Sequence, residues 1–155
     1  CNFNEEGAMG LVMNHPTETM VCELLKEEVL KEGIFDFPLL LGGPVQPENF
    51  WALHSPDFIG ESTTHISSGI SLSSAKDVIN ALNLSEGPKV YHLGCGYSGW
   101  GPQQLEGEIQ KESWWLGPLD ESILIDIEYE MRWEKTMERL GFDPLTTSFS
   151  QTGMV

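Results

Sequence analysis

Two glycine-rich segments, far apart along the chain, constrain its fold more than any other feature. The first, Gly42-Gly43-Pro44-Val45, follows an apolar run at 38–41, and the second places four glycines within residues 94–101, after an apolar run at 90–93. Glycine adopts dihedral angles closed to other residues and proline fixes φ, so the sequence predicts two short strands that each end in a sharp bend. We expect the two bends to meet and to display a recognition patch.

The rest of the chain predicts helices and strands in an irregular order. Further strands are expected at 7–14, 50–54, 63–72, 114–115 and 123–127, and helices at 17–31, after Ser73 or Ser74, at 102–112, and around Trp133, Met137 and Leu140. A doubly wound sheet would alternate strand and helix steadily, and this chain does not. The 155 residues therefore predict an α+β fold, a single compact domain over 1–155 with a mixed β-sheet and about four helices. A loose polar tail is expected from Thr146.

The charge of the chain bears on its partners. Asp and Glu number 24 against 8 Lys and Arg, which gives a net charge of −16. Proteins that bind bare DNA or RNA replace phosphate counterions with Lys and Arg, so direct nucleic-acid binding is not expected. The hydrophobic fraction of 40% is too high for a disordered acidic tail. We therefore expect a folded protein with a protein partner.

Cysteine usage and hydropathy bear on location. Cys1, Cys22 and Cys95 are odd in number and form no Cys-x-x-Cys, so neither a disulfide framework nor a zinc site is indicated, and we expect the cytoplasm. No apolar run approaches the roughly 20 residues that span a bilayer, so no membrane association is expected. A chain that starts at Cys1 suits a fragment better than a lipoprotein whose leader was removed, and we expect an N-terminal strand to be missing.

The second glycine segment matches two catalytic motifs on paper. Residues 94–99 have the G-x-G-x-x-G spacing of dinucleotide sites, but residues 100–102 push the next helix past the third glycine, away from a pyrophosphate. The G-x-S-x-G nucleophile elbow is missed by one residue, and all four histidines precede Ser98. We interpret Cys95 as a small residue in a tight loop. The histidines stand singly, without ligand spacing to a carboxylate, so no metal and no cofactor are predicted.

Aromatic and acidic residues give two further expectations. Trp100, held in the glycine-rich loop, is expected to be partly exposed. The core is expected to hold the remaining tryptophans: Trp51, Trp114, Trp115 and Trp133. Glu106 and Glu108 lie two apart on a predicted helix, so they point in different directions and are expected on a solvated face.

Three blocks of sequence together resemble the YqgE/AlgH family of bacterial proteins. They are residues 7–14, residues 42–45 followed by Leu53-His54, and residues 96–100 followed by Gln104-Leu105-Glu106. Their order and spacing match, and the ending at 133–144 is similar to the family's close, so the likeness covers nearly the whole chain. The sequence departs from the family at Gln103, where Gly is usual, at Ser98, where Ala is common, and at Cys95. Members also begin with an apolar, strand-like stretch upstream of the position of Cys1.

The resemblance implies a compact α+β fold and a regulatory role. Members of the family are often labelled transcriptional regulators, without an established biochemical activity. No catalytic residue is carried over. The candidate binding surface that the resemblance transfers comprises Asn14, Gly43, Pro44, His54, Tyr97, Gly99, Trp100 and Glu106.

Three functional hypotheses follow. The first is a regulatory protein, not an enzyme, that acts through protein contacts, with direct operator binding as its weaker version. The second is a small-molecule enzyme or sensor, which predicts that Asn14, His54, Tyr97 and Glu106 converge on one cleft with His54 as the acid–base group. The third is a scaffold in which these residues serve packing and turns. The sequence leaves the oligomeric state open.

Overall fold

The computed structural model of the protein describes residues 1–25 and 33–142. These residues form eight strands, five α-helices and one 3-10 helix. The strands are β1 (Asn2–Asn4), β2 (Gly7–Gly10), β3 (Pro16–Met20), β4 (Pro38–Leu41), β5 (Val45–His54), β6 (Thr64–His65), β7 (Ser71–Ser74) and β8 (Tyr91–Trp100). The helices are α1 (Val21–Leu25), α2 (Ala75–Asn83), α3 (Gln104–Gln110), α4 (Glu121–Asp126), the 3-10 helix (Tyr129–Met131) and α5 (Arg132–Arg139).

The sheet is built around β8. Along one edge of β8 runs β5, antiparallel, with Val45 opposite Tyr97 and His54 opposite Tyr91. Two strands share the other edge, β4 in parallel and then β2 antiparallel. β1 extends the sheet beyond β2, β3 pairs with β4, and β7 and β6 follow β5. The predicted α+β fold with a mixed sheet is therefore confirmed.

The apolar runs of the sequence are buried because the sheet is covered on both faces. One cluster packs α1 and α2 on the sheet and includes Leu39 and Ala52. Their chain neighbours Leu40 and Trp51 belong to a second cluster on the opposite face, against which Leu124 of α4 packs. Consecutive buried residues are typical of strands with both faces covered. This explains why residues 38–41 show no alternation.

Two predicted elements change type. The helix predicted at 17–31 begins only at Val21, because Thr17 and Thr19 lie in β3, paired with β4. β-branched threonine fits a strand, and the neighbouring strand outweighs the helical spacing of the apolar residues. Residues 26–32 lie outside the described part. The strand predicted at 123–127 is instead helix α4, whose N-cap Asp120 accepts a hydrogen bond from the Ser122 amide.

Other boundaries shift by smaller amounts. The strand predicted at 63–72 is two strands, β6 and β7, and residues 114–115 form no strand. α2 is confirmed with Ser74 as its N-cap, since the Ser74 side chain accepts a hydrogen bond from the Asp77 amide. α3 starts at Gln104 rather than at Pro102. The predicted last helix is confirmed as α5, and the tail from Thr146 lies outside the described residues.

The sequence predicts a loop at residues 94–101. The structure shows instead that most of this segment is the second half of β8. The Trp51 ring lies on Gly94 so closely that a Cβ there would be 2.2 Å from Trp51 Cζ2. The Trp51 indole also donates a 2.7 Å hydrogen bond to the Gly96 carbonyl. Glycine is therefore required at position 94 so that the Trp51 ring can lie against the strand. The sequence prediction had attributed this glycine to a bend.

The tryptophans agree with the sequence prediction only in part. Trp51 is buried and Trp100 is half-buried, as predicted. The expectation that the other three lie in the core is wrong, because Trp114, Trp115 and Trp133 are 45%, 47% and 40% exposed.

Within residues 1–25 and 33–142, no helix combines the length and the apolar character needed to cross a bilayer.

Candidate functional site

The two glycine-rich segments meet, as the sequence predicts. Gly42 donates a 2.9 Å backbone hydrogen bond to the Cys95 carbonyl. Gly43, at φ +151°, lies so close to β8 that a Cβ would be 2.3 Å from the Tyr97 carbonyl carbon. Gly96 has φ +66°, and a Cβ there would be 2.4 Å from the Gly43 oxygen. Both partners must therefore be glycine, because a side chain on either would separate the two backbones.

A third segment crosses this junction and carries Asn14. The Val12 amide donates to the Gly42 carbonyl, and the Leu41 amide donates to the His15 carbonyl, each at 2.9 Å. Asn14 is exposed in the bend between these two hydrogen bonds, and Pro44 is exposed at the turn between β4 and β5. The structure thus brings the segments of Asn14, Gly43 and Tyr97 together at one place.

The strands β1, β2 and β8 carry an open groove on each face. The polar groove holds about 480 Å³ and is lined by Asn2, Asn4, Glu6, Gly7, Ala8, Met9, Val45, Tyr97, Gly99 and Trp100. Tyr97 and Gly99 share it because residues two apart on a strand face the same side. Trp100 lies at the boundary and also lines the groove on the other face.

That second groove, the apolar groove, holds about 550 Å³. Phe3 and Trp100 share one face because each is paired with Ala8 on β2. α3 and the residues after it complete the walls. The apolar residues that line it are Phe3, Ala8, Met9, Ile66, Trp100, Leu105, Ile109, Trp114 and Leu116.

Glu108 orients the Trp100 ring. The Glu108 Oε2 atom accepts hydrogen bonds from the Trp100 indole at 3.1 Å and from the Trp114 indole at 2.8 Å. The two rings meet edge to face with centroids 5.7 Å apart. The Trp114 and Gln104 hydrogen bonds hold the pKa of the Glu108 carboxyl below its usual value. We name these three residues, Trp100, Glu108 and Trp114, the indole clasp.

Glu108, and not Glu106, is thus the glutamate that acts at this surface. Both glutamates are half-buried on α3 and neither lines a groove itself. Glu108 differs because it accepts hydrogen bonds from the Trp100 and Trp114 indoles, which line the apolar groove. Sequence reasoning missed Glu108 because its partners are six and eight residues away, beyond helical spacing. The sequence did signal that the two glutamates point in different directions.

The Glu108→Ala variant is expected to release both indoles. We predict that the near-ultraviolet circular dichroism of the tryptophans falls sharply, because the edge-to-face pair loses its common acceptor. Glu108→Gln keeps an acceptor oxygen and should retain most of the signal. Glu106→Ala, on the same helix, is the matched control, and an equal loss of signal in that variant would contradict the clasp.

His54 lies away from the other candidate residues. It is opposite Tyr91 in the β5–β8 ladder, six positions from Tyr97 along β8, or about 20 Å at the usual rise of a strand. The His54 side chain is 3% exposed. The cleft expected around His54 and Tyr97 is therefore wrong, since the two residues do not converge.

His54 instead belongs to a buried chain of hydrogen bonds. Because the Ser55 carbonyl can only accept, His54 Nδ1 donates to it at 2.8 Å, and Nε2 accepts from Ser73 Oγ at 2.8 Å. Ser73 Oγ is 2.7 Å from Thr63 Oγ1, which accepts from the Gly60 amide at 2.8 Å. Ser73 and His54 have the spacing of a nucleophile and its base. Both are buried, and the cavity that His54 borders holds only about 10 Å³, so these hydrogen bonds serve packing.

A second buried polar cluster, unforeseen from the sequence, lies on the face that α4 and α5 cover. Arg132 is 3% exposed. Its guanidinium donates to the carbonyls of Met13 at 2.6 Å, Leu124 at 2.7 Å and Ile127 at 3.0 Å. Its Cζ atom lies 4.6 Å from the centre of the Tyr129 ring. Arg132 thus ties the bend that carries Asn14 to α4 and α5.

Metal ligation and the Cys95 thiol were the two remaining chemical candidates. No group of three His, Cys, Asp or Glu side chains within residues 1–25 and 33–142 could hold a metal ion. Cys95 is buried in β8, and burial raises the pKa of its thiol. The loop position expected for Cys95 is therefore a strand position.

Comparison with known proteins agrees with the sequence resemblance. A sequence model described as AlgH-like matches residues 1–145. The chain belongs to the AlgH-like family. A UPF0301 protein of Shewanella sp. strain ANA-3 is 35% identical over 159 residues, covering 99% of this chain and 84% of that protein. A UPF0301 protein of Thioalkalivibrio sulfidiphilus is 36% identical over 145 residues, covering 92% and 78%.

Two solved structures have folds similar to that of this chain. The solution structure of the AlgH protein from Pseudomonas aeruginosa matches with a TM-score of 0.77 at 33% identity, covering 98% of this chain and 82% of that one. A crystal structure of a Corynebacterium diphtheriae protein matches with a TM-score of 0.68 at 16% identity, covering 89% and 73%. At that identity the second likeness shows the fold alone.

Proposed function

We propose that this AlgH-like protein is a regulatory module, not an enzyme, that binds another protein through the apolar groove. The observation that carries the proposal is the indole clasp, which holds Trp100 as a rigid wall of the groove. Aromatic residues with restricted rotamers are the usual anchors of protein interfaces, because little conformational entropy is lost when they bind. The family's regulatory label supports the same interpretation.

Charge indicates what kind of partner fits. The protein carries a net charge of −16. Glu108 contacts two tryptophans that line the apolar groove, Trp100 and Trp114, and Glu6 lines the polar groove on the other face. Acidic side chains beside an apolar anchor site attract a segment with apolar side chains flanked by Lys or Arg. We propose such a protein segment as the partner, and a cytoplasmic location, which the three free cysteines support. The same charge disfavours direct operator DNA.

The experiment compares three baits made from the full natural chain: the unmodified protein, Trp100→Ala and Trp133→Ala. Trp133 lies on α5, is 40% exposed and lines neither groove, so it is the matched control. A partner retained by the unmodified and Trp133→Ala baits is purified, and its dissociation constant is measured with each. We expect Trp100→Ala to weaken binding by about 2 kcal/mol or more, roughly thirtyfold, as for an interface hot spot.

Two outcomes would overturn the proposal. One is equal affinity of the partner for the unmodified protein and Trp100→Ala, with circular dichroism showing both folded. The other is sub-micromolar, sequence-selective DNA binding in an anisotropy titration at physiological salt. Binding that falls as salt rises, with peptides that carry Lys or Arg beside the apolar anchor, would support the charge argument.

A further inference from the structure

We propose that His92 and Arg132 form an acid-operated latch that holds the segment from α4 to α5 on the sheet. With His92 neutral, the buried guanidinium clamps the segment and the Asn14 bend together. Protonation of His92 places a second cation against Arg132 and releases both. The proposal is independent of the proposed partner binding.

The hydrogen bonds of His92 define the closed latch. Its Nε2 atom is 2.7 Å from the Leu124 carbonyl, which can only accept, so the proton of the neutral ring lies on Nε2. Its Nδ1 atom, 3.2 Å from the Tyr129 hydroxyl, then accepts from that hydroxyl. His92 on β8 thereby contacts α4 and the 3-10 helix. In the neutral ring Nε2 donates and Nδ1 accepts, whereas protonation turns Nδ1 into a donor and requires the Tyr129 hydroxyl to rotate and accept.

Arg132 makes the second positive charge costly. Its Nη2 atom lies 3.1 Å from His92 Nε2, where with Nε2 protonated two donors face each other, and it donates to the same Leu124 carbonyl. No ion pair of Arg132 with a carboxylate occurs among the described residues. A doubly charged pair would therefore share one carbonyl in a buried place.

The other groups around His92 do not offset this repulsion. Tyr129 faces it from the 3-10 helix, with Glu128 and Glu130 on either side, and these carboxylates are exposed and act on Tyr129 and Arg132. From β5, His54 borders the same small cavity. β4 consists of Pro38 and leucines and carries no titratable group. On α4, hydrogen bonds from Ser67 and the Gly69 amide hold the Glu121 carboxylate and keep its pKa below the usual value, and Asp126 is exposed. Arg132 is therefore the charge that acts on His92.

The direction of the pH effect follows from the pKa. Burial first, and then Arg132, lower the pKa of His92 from 6.5 to about 4. Since the folded value is the lower one, the stabilising contribution of His92 is complete above pH 6.5 and is lost as the pH falls toward 4. Over that range the released segment binds the proton more tightly than the closed latch.

The test measures amide hydrogen exchange at α4 and α5 between pH 7.5 and 4.5, corrected for the intrinsic rate, with β5 and β8 as internal references. We expect the protection of the helices to fall by roughly 50-fold by pH 4.5 while the strands stay protected. His92→Gln can donate to the Leu124 carbonyl and accept from Tyr129 without titrating, so its protection should be independent of pH. His15→Gln, at an exposed site, should respond as the unmodified protein does.

Three results would overturn the latch. Protection of the helices that stays constant to pH 4.5 is one, and a retained pH response in His92→Gln is another. Should His92→Gln fail to fold, the pKa of His92 in the unmodified protein is measured by nuclear magnetic resonance. A value of 6.5 or above would contradict the latch, and a value near 4 would support it.

Discussion

Gly43→Ala is expected to unfold the protein or to lower its free energy of unfolding by at least about 4 kcal/mol. The new Cβ would meet the Tyr97 carbonyl carbon at 2.3 Å and the Ser98 nitrogen at 2.4 Å. Both are backbone atoms of the central strand, so they cannot move aside as the end of a side chain could. The φ of +151° at Gly43 adds strain of its own.

Gly107→Ala is the matched control for this variant. Gly107 lies inside α3, and beyond the backbone of the helix itself a Cβ there would meet no atom within 4 Å. Alanine favours the helix by about 0.5–1 kcal/mol, so this variant should be slightly more stable than the parent. Urea unfolding followed by circular dichroism measures both. A Gly43→Ala protein within about 1 kcal/mol of the parent would contradict the contact between the two glycine segments.

Arg132→Met is expected to lower the free energy of unfolding by about 3–5 kcal/mol. The substitution keeps much of the side-chain volume but leaves the carbonyls of Met13 and Ile127 without this donor, and leaves the Leu124 carbonyl with His92 alone. A buried acceptor without a partner costs about 1–3 kcal/mol, and relaxation toward water recovers part of the sum. The free energy of unfolding of Arg132→Lys should lie between those of the parent and Arg132→Met, because one ammonium cannot reproduce the planar fork of guanidinium donors.

Arg139→Met separates this effect from the general loss of a positive charge on α5. Arg139 is 56% exposed and pairs with Asp120 at the surface, where an ion pair contributes at most about 1 kcal/mol. Its midpoint of urea unfolding should move little. Equal midpoints for Arg132→Met and Arg139→Met would show that the buried clamp contributes nothing beyond charge.

The fold could be predicted where local signals and packing agree. Ser74 caps α2 because its side-chain oxygen accepts a hydrogen bond from a free amide of the first turn, and the apolar residues 38–41 form a strand, both as predicted. The prediction was wrong where a distant element decided. Thr17 and Thr19 lie in a strand because β4 is beside them. Residues 94–100 read as a loop because glycine signals a turn, whereas Gly94 lies in a strand beneath the Trp51 ring.

The candidate site divides in the same way. That the two glycine segments meet could be inferred from the sequence, because two bends without side chains are suited to close approach. That His54 lies far from Tyr97 could not, since it depends on the register of β5 against β8. The roles of Glu108 and Arg132 were also hidden, because their partners are indoles six and eight residues away and main-chain carbonyls. Every residue has a main-chain carbonyl, so the sequence does not show which of them will accept a hydrogen bond from Arg132.

The amino-acid sequence by itself determined the family, the α+β class and the acidic character of this protein. These follow from residue types in order and from charge, which need no knowledge of what lies beside what. Only the tertiary structure decided which glycines permit close contact and which tryptophans stay exposed, and it alone showed a buried cation beside a histidine. Each of these depends on distances between residues far apart in the chain, and such distances arise only when the sheet has formed.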